Sequence, residues 1–307
     1  MANLSKDEAR MHREASALVA LKRDLTEDEK ETVLEHWQES STATNSLDGA
    51  FFTPMELAWH MRHEVSGNRI LDLCAGVGRL AYTCRNYWTR RYEGTPSAEV
   101  VCVERNPVFV EVGKKVLPEA RWICGDVFNL PDDLGTFDTV IANPPFGYTE
   151  RAGQGPRYKG RRFEYHVVDI ASTLARRGVF IVPQESAPFV YSGTSDHRWR
   201  ARSDTPTDKL DRLARMSADY ERFALETGLE MHFGIGMDTG TVADQWRGTG
   251  RLLTEIVHCD FEERPGKPVQ SRSSVLQPLS ASAPRLNIPA SVSPPKKVPE
   301  YAAEALF

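Results

Sequence analysis

From about residue 50 the chain alternates short apolar runs with longer stretches of helical spacing, and this alternation narrows the possible folds more than any other feature. RILDLCAG, AEVVCVER, RWICGDV, FDTVIAN and GVFIVPQ read as strands. MELAWHMRHEV, GRLAYTCRNYW, PVFVEVGKKVL and FEYHVVDIASTLARR read as the helices that lead into or separate them. Strands apolar on both faces need a parallel sheet with helices on both sides. LEMHFGIG (229–236) and RLLTEIVHCDF (251–261) supply two further strands. The expected fold is α/β, a doubly wound, mostly parallel sheet of seven strands.

The flanks read differently. Residues 1–48 form a helical extension in which Leu18, Leu21 and Leu25 recur at helical spacing, and Thr26-Glu-Asp-Glu caps a second helix running through Trp37. STATNSLDG (41–49) is a polar break. The domain proper spans 49–263, with an insertion at 184–228 longer than one crossover needs and suited to substrate recognition. Residues 264–307 are rich in Pro and Ser and are expected to be disordered. The acidic N-terminal helices and this tail are the segments through which a protein partner would dock.

No run of 18 apolar residues exists, and the opening MANLSKDEARMHREA has no apolar core, so neither a membrane span nor a secretory signal is expected. Five cysteines without a CxxC pair fit a reducing cytoplasm, with no disulfide and no metal site. Charge is unevenly spread. Residues 1–49 hold 6 Lys/Arg against 11 Asp/Glu, a net of −5, whereas residues 147–215 hold 13 against 8, a net of +5. A basic face on an acidic chain suits a phosphate backbone.

Chemistry concentrates at the carboxyl ends of the strands. In LDLCAGVGRLA, Gly76-x-Gly78-x-x-Ala81 makes a strand-to-helix turn that a ligand can approach closely. With Glu104 ending the next strand, this spacing also fits a dinucleotide, so the glycines leave the ligand open. Asp72 suits a cationic ligand group and would repel a pyrophosphate, while Asp126 can accept from an exocyclic amine. Three acids at adjacent strand ends match the amine, ribose and adenine of S-adenosylmethionine. The fourth strand then runs into Asn143-Pro144-Pro145-Phe146. Proline explains why that strand stops. It does not explain an amide and an aromatic ring at the mouth of the sheet.

These motifs, in this order over residues 50–262, resemble the class I S-adenosylmethionine-dependent methyltransferases, and within them the adenine-N6 type with γ-class-like motif order. The resemblance implies a Rossmann-like fold and a cofactor site made by Phe52, Thr53, Pro54, Asp72, Cys74, Ala75, Gly76, Gly78, Glu104, Arg105, Asp126, Val127 and Asn143. It assigns catalysis to Asn143, Pro144, Pro145 and Phe146, with Phe146 stacking on the target base. The chain lacks the large C-terminal recognition domain of typical γ-class DNA enzymes, which implies limited sequence specificity.

The segment GYTERAGQGPRYKGRRFEY is Gly-rich and basic, and reads as a mobile clamp contacting nucleic acid through Tyr148, Arg157, Lys159, Arg161 and Arg162. Trp199, with its basic neighbours, forms a second patch. His166 and His232 read as packed or surface residues rather than catalytic ones. The expected activity is methylation of adenine N6 in nucleic acid, DNA ahead of RNA. The alternatives are adenine N6 or guanine N2 in RNA, or a protein glutamine amide.

Overall fold

The computed structural model describes residues 5–38, 51–195, 198–199, 217–246 and 251–262. The expected linker at 41–49, residues 200–216 of the insertion and the tail from 264 lie outside the described residues. Helices α1 (Lys6–Val19) and α2 (Glu27–His36) each open on a reciprocal capping box, Ser5 with Glu8 and Thr26 with Glu29. Each box satisfies backbone donors that a helix start would otherwise leave unpaired. There follow α3 (Met55–Met61), β1 (Arg69–Leu73), α4 (Arg79–Cys84), α5 (Tyr87–Glu93), β2 (Glu99–Glu104), α6 (Pro107–Val116), β3 (Arg121–Cys124) and β4 (Phe137–Ala142). The remainder comprises α7 (Phe163–Leu174), β5 (Ala175–Pro183), β6 (Phe189–Val190), β7 (Arg198–Trp199), α8 (Ala218–Thr227), β8 (His232–Phe233) and β9 (Thr254–Asp260).

The main sheet has seven strands in the order β3-β2-β1-β4-β5-β9-β8. β1 to β5 are parallel, and β9 and β8 close the edge antiparallel. β6 and β7 form a separate antiparallel pair. The chain winds outward from β1 to β3 and then returns to lay β4 on the other side of β1. The crevice above such a reversal is where open α/β sheets bind ligands.

The two-residue period of β1 sends Leu71 and Leu73 to one face and Ile70 and Asp72 to the other. Leu71 and Leu73 join Val140, Phe180 and the α7 residues Tyr165 and Val168 in one buried layer. Ile70 joins Ile141 and Val179 against Leu57 and Met61 of α3 and Leu80 of α4. Each fully buried aliphatic contributes about 1.5–3 kcal/mol over an exposed one. A third cluster packs Val33, Leu34 and Trp37 of the N-terminal extension onto Phe109 and Val112 of α6.

Four boundaries differ from the sequence reading. GRLAYTCRNYW is two helices, because Asn86 sits in the left-handed region at φ 51° and breaks the ladder. MELAWHMRHEV leaves the α-helix at Met61 for a short 3-10 turn. Ala175-Arg-Arg opens β5 rather than ending a helix, since Ala175 pairs with Phe137 and Arg177 with both Thr139 and Asp260. Of LEMHFGIG only His232 and Phe233 pair.

Candidate active site

A cavity of about 300 Å³ opens at the carboxyl ends of β1, β2 and β4 and the turn after β3. Of the expected residues, Phe52, Cys74, Gly76, Glu104, Arg105, Asp126, Val127, Asn143 and Pro145 line it. The floor is the turn after β1, where Cys74, Gly76 and Gly78 take φ of 61°, 56° and 89°. That left-handed backbone favours glycine. A β-carbon on Gly76 would also press on the Phe52 ring, at 3.2 Å.

Glu104 braces this floor. Its Oε2 accepts the Gly76 N–H at 2.8 Å and its Oε1 the Asn106 N–H at 2.7 Å. Burial raises its pKa, and these N–H donors work against the rise. Asp126, two residues beyond β3, uses Oδ1 to accept the Phe128 N–H at 2.9 Å, which fixes its turn. Burial pushes the Cys74 thiol well above its ordinary pKa, so it is no ready nucleophile.

Asn143 ends β4 with a defined orientation. Its Nδ2 donates to the Phe51 carbonyl at 2.9 Å and to Thr53 Oγ1 at 3.0 Å. A backbone carbonyl can only accept, so the amide nitrogen must occupy that side. The Oδ1 atom is buried and without a partner, on a residue that lines the cavity. Thr53, expected against the cofactor, is buried behind the wall, and Pro54 caps α3.

Several expected residues do not line the cavity. Asp72 does not face the cavity. The strand period turns it beneath α4, where it is fully buried and its Oδ2 accepts the Ala81 N–H at 3.0 Å. It replaces the missing side-chain cap of a helix that starts on Gly78. Ala75 and Gly78 shape the same turn through the Gly78 N–H to Ala75 carbonyl bond, at 2.8 Å. Pro144 is buried, and Phe146 lies off the cavity wall against Trp246, ring centroids 6.1 Å apart.

The expected clamp is built into the fold. Arg157 binds the buried Asp169, Ser172 Oγ and the Thr227 carbonyl. Arg162 binds Asp219, Glu185 and Ser186, with Glu164 at 3.4 Å. Lys159 folds back on the carbonyls of Gly155 and Pro156. Glycine there serves close packing: a β-carbon on Gly155 would lie 2.6 Å from Asp169 Oδ2, and one on Gly160 2.0 Å from the Tyr158 hydroxyl. His166 pins both ends, its Nδ1 accepting the Gly155 N–H and its Nε2 donating to the Gly160 carbonyl. That pattern requires neutral imidazole, and burial lowers its pKa to about 4. Of the clamp set, Tyr148, Lys159 and Arg161 stay exposed, the Arg161 guanidinium 4.7 Å over the Tyr148 ring, with the Tyr148 hydroxyl donating to Asp219. The Trp199 side chain lies outside the described residues.

The sequence reading missed part of the wall. Thr149, Glu150, Arg151 and Phe163 line the cavity, as does Phe109. The first four sit in the stretch read as a substrate clamp, and Phe109 looked like an ordinary apolar position of a helix.

Asp72 yields a pH-dependent expectation. Burial, with Glu104 nearby, raises its pKa well above the usual carboxylate range, against the Ala81 hydrogen bond. Folding therefore favours the protonated form. Its contribution is full below the unfolded pKa of about 4 and is lost as pH rises through the folded pKa. Asp72→Asn should melt about 2–6 °C above the parent at pH 8, with the gap shrinking at pH 5, as scanning calorimetry would read. Its affinity for S-adenosylhomocysteine should stay within about threefold, whereas a tenfold loss would restore Asp72 as a partner of the ligand amine.

Residues 70–155 match the family model described as a methyltransferase domain. No curated protein matches the chain. A protein from Listeria monocytogenes described as a class I S-adenosylmethionine-dependent methyltransferase superposes with a TM-score of 0.51 at 12% identity, over 84% of this chain and 81% of its own. A modification subunit assigned to a type I restriction enzyme of Vibrio vulnificus gives 0.50 at 13% identity, over 78% of this chain. This chain spans 50% of that subunit's length. Among the described residues no helix is long and apolar enough to cross a membrane, and no cluster could hold a metal ion. The donor set fits the cofactor of this fold, with carboxylates placed for hydroxyls and an amine and a glycine floor for close approach. Residues 70–155 thus match a methyltransferase domain, and the chain has the Rossmann-like methyltransferase fold.

Proposed function

We propose that this chain methylates the N6 amine of adenine in nucleic acid, DNA ahead of RNA. The observation that carries the reading is the unpartnered Oδ1 of Asn143, a residue that lines the cavity and whose amide is turned by the Phe51 carbonyl. S-adenosylmethionine supplies an electrophilic methyl group on a sulfonium. Adenine N6 is a poor nucleophile because its lone pair is delocalised into the ring. Asn143 Oδ1 and the Pro144 carbonyl would accept the two N6 hydrogens, draw the nitrogen toward sp³ and free the pair. Two prolines hold that carbonyl in place, so little reorganisation is needed during reaction. Glu104 would accept from ribose hydroxyls and Asp126 from the adenine amine of the cofactor. Neither His166 nor Cys74 is poised as a base; as the N6–methyl bond forms and the methyl–sulfur bond breaks, leaving a neutral thioether, the acidified N6 proton would pass to solvent.

Acceptor contact then falls to the exposed Tyr148, Lys159 and Arg161. Stacking on an aromatic ring contributes roughly 1–3 kcal/mol per base. Tyr148→Ala should raise the KM for DNA by about 5- to 100-fold with little change in cofactor affinity, as steady-state kinetics would read. The preference for DNA rests on the resemblance carried by Phe52-Thr53-Pro54. A second reading draws on the internal pairing of Arg157 and Arg162, which leaves less free positive charge than the sequence count suggests. A protein glutamine amide needs no basic surface. One experiment separates these. Labelled cofactor is incubated with duplex DNA, single-stranded DNA, structured RNA and a glutamine peptide, and each product is identified by mass spectrometry. N6-methyladenine is expected, and its absence from every nucleic acid sinks the reading.

A further inference from the structure

The helix pair α1–α2 precedes the matched methyltransferase segment. Trp37, the residue that ends α2, is 5% exposed. Its ring meets Phe109 edge-on at 5.7 Å and lies 6.0 Å from Phe52, and those two rings are 5.0 Å apart. Phe52 and Phe109 line the cofactor cavity, and Trp37 stands behind them. The Arg79 guanidinium lies 5.1 Å over the Phe52 ring and donates to the Thr53 carbonyl at 3.0 Å. Residues 51 to 53 are thus held on one side by aromatic rings and a cation. On the other they supply both acceptors of the Asn143 amide.

Helix α2 is itself fixed to the elements that frame the cavity. Glu27 Oε2 accepts from Arg85 Nη2 at 2.6 Å and from the Tyr82 hydroxyl at 3.1 Å. Arg85 is only 5% exposed, so this pair is shielded from solvent screening. Lys115 at the end of α6 donates to the carbonyls of Leu21 and Arg23 in the turn between the two helices. A bulky ring on so anchored a support sets its neighbours more firmly than a surface contact can, because interiors pack densely and transmit displacement.

We propose that Trp37 is a positioning residue. Through Phe52 and Phe109 it sets the cofactor wall, and through the 51–53 segment it sets the direction of the Asn143 amide. The first effect rests on the cofactor alone, and the second on the amine acceptor proposed above.

The test uses the full chain and S-adenosylhomocysteine in titration calorimetry, at a temperature where every variant is folded. Trp37→Ala should weaken binding tenfold or more, and Trp37→Phe should remain within threefold of the parent. Phe261→Leu, remote in the β5 layer, controls for general loosening and should leave affinity unchanged. Thr53→Val should keep affinity within threefold yet lower kcat at least fivefold, a split that lost packing alone would not give. If Trp37→Ala does not fold, Trp37→Leu is read by the same tenfold criterion. A change under tenfold, or an equal loss in Phe261→Leu, overturns the proposal. If the parent binds S-adenosylhomocysteine but methylates no nucleic acid, the proposed acceptor and the Asn143 arm fall together. The cofactor arm is then decided by the Trp37 affinities.

Discussion

Asn143→Ala is expected to cut kcat by about 10²- to 10³-fold, the cost of removing one preorganised hydrogen-bonding group from a site where charge develops. Affinity for S-adenosylhomocysteine should fall by no more than about fivefold. The two effects separate because the amide has two ends with different work. Its Nδ2 ties β4 to the Phe51 carbonyl and Thr53 Oγ1, a structural bond near the cofactor wall. Its Oδ1 is buried and unpartnered. A native interior seldom leaves a polar atom so, since desolvation without a partner costs about 1–3 kcal/mol. Asn143→Asp should be no milder, because a carboxylate would face the Phe51 carbonyl with no donor between them. Single-turnover transfer to DNA, beside calorimetric affinity, reads both ends. Full transfer by Asn143→Ala would remove the mechanism proposed for the amine.

How much of this was legible in the sequence depends on whether a feature is local. The sheet could be read from the alternation of apolar runs, and the Thr26 capping box from four consecutive residues. The cavity wall at Gly76, Glu104, Asp126 and Asn143 followed from strand ends and their order. Asp72 was expected at the cavity, although the same two-residue period that identifies β1 sets it on the face with Ile70, under α4. The basic loop failed for another reason. A run of Arg and Lys looks alike whether it meets phosphate or the chain's own carboxylates, and its partners Asp169 and Asp219 lie 12 and 57 residues further along the chain. Its glycines were read as a sign of mobility, but the residues that crowd them, Asp169 and Tyr158, become apparent only once the loop is packed.

That packed loop carries the largest expected effect on stability. Arg157→Ala should lower Tm by about 6–15 °C. Asp169 is fully buried, and its Oδ2 already accepts the backbone N–H groups of Arg157 and Tyr158. The Arg157 side chain supplies the compensating cation at 2.7 Å and also ties Ser172 and the Thr227 carbonyl, so α7, α8 and the loop meet at one guanidinium. Breaking a buried pair by removing one partner costs about 3–5 kcal/mol, because a charge is stranded in the interior. Partial exposure of the arginine, 29%, puts the expected loss toward the lower end of that range. Asp169→Asn added to Arg157→Ala should recover part of the loss by removing the stranded charge. Arg161→Ala is the counterpart. Its guanidinium rests on the exposed Tyr148 ring, so Tm should move by less than about 2 °C while the KM for DNA rises. Scanning calorimetry on the three variants, with DNA kinetics on Arg161→Ala, distinguishes a charge that holds the fold from one that meets the acceptor. A Tm for Arg157→Ala within about 2 °C of the parent, together with a raised KM, would return that residue to the nucleic-acid surface.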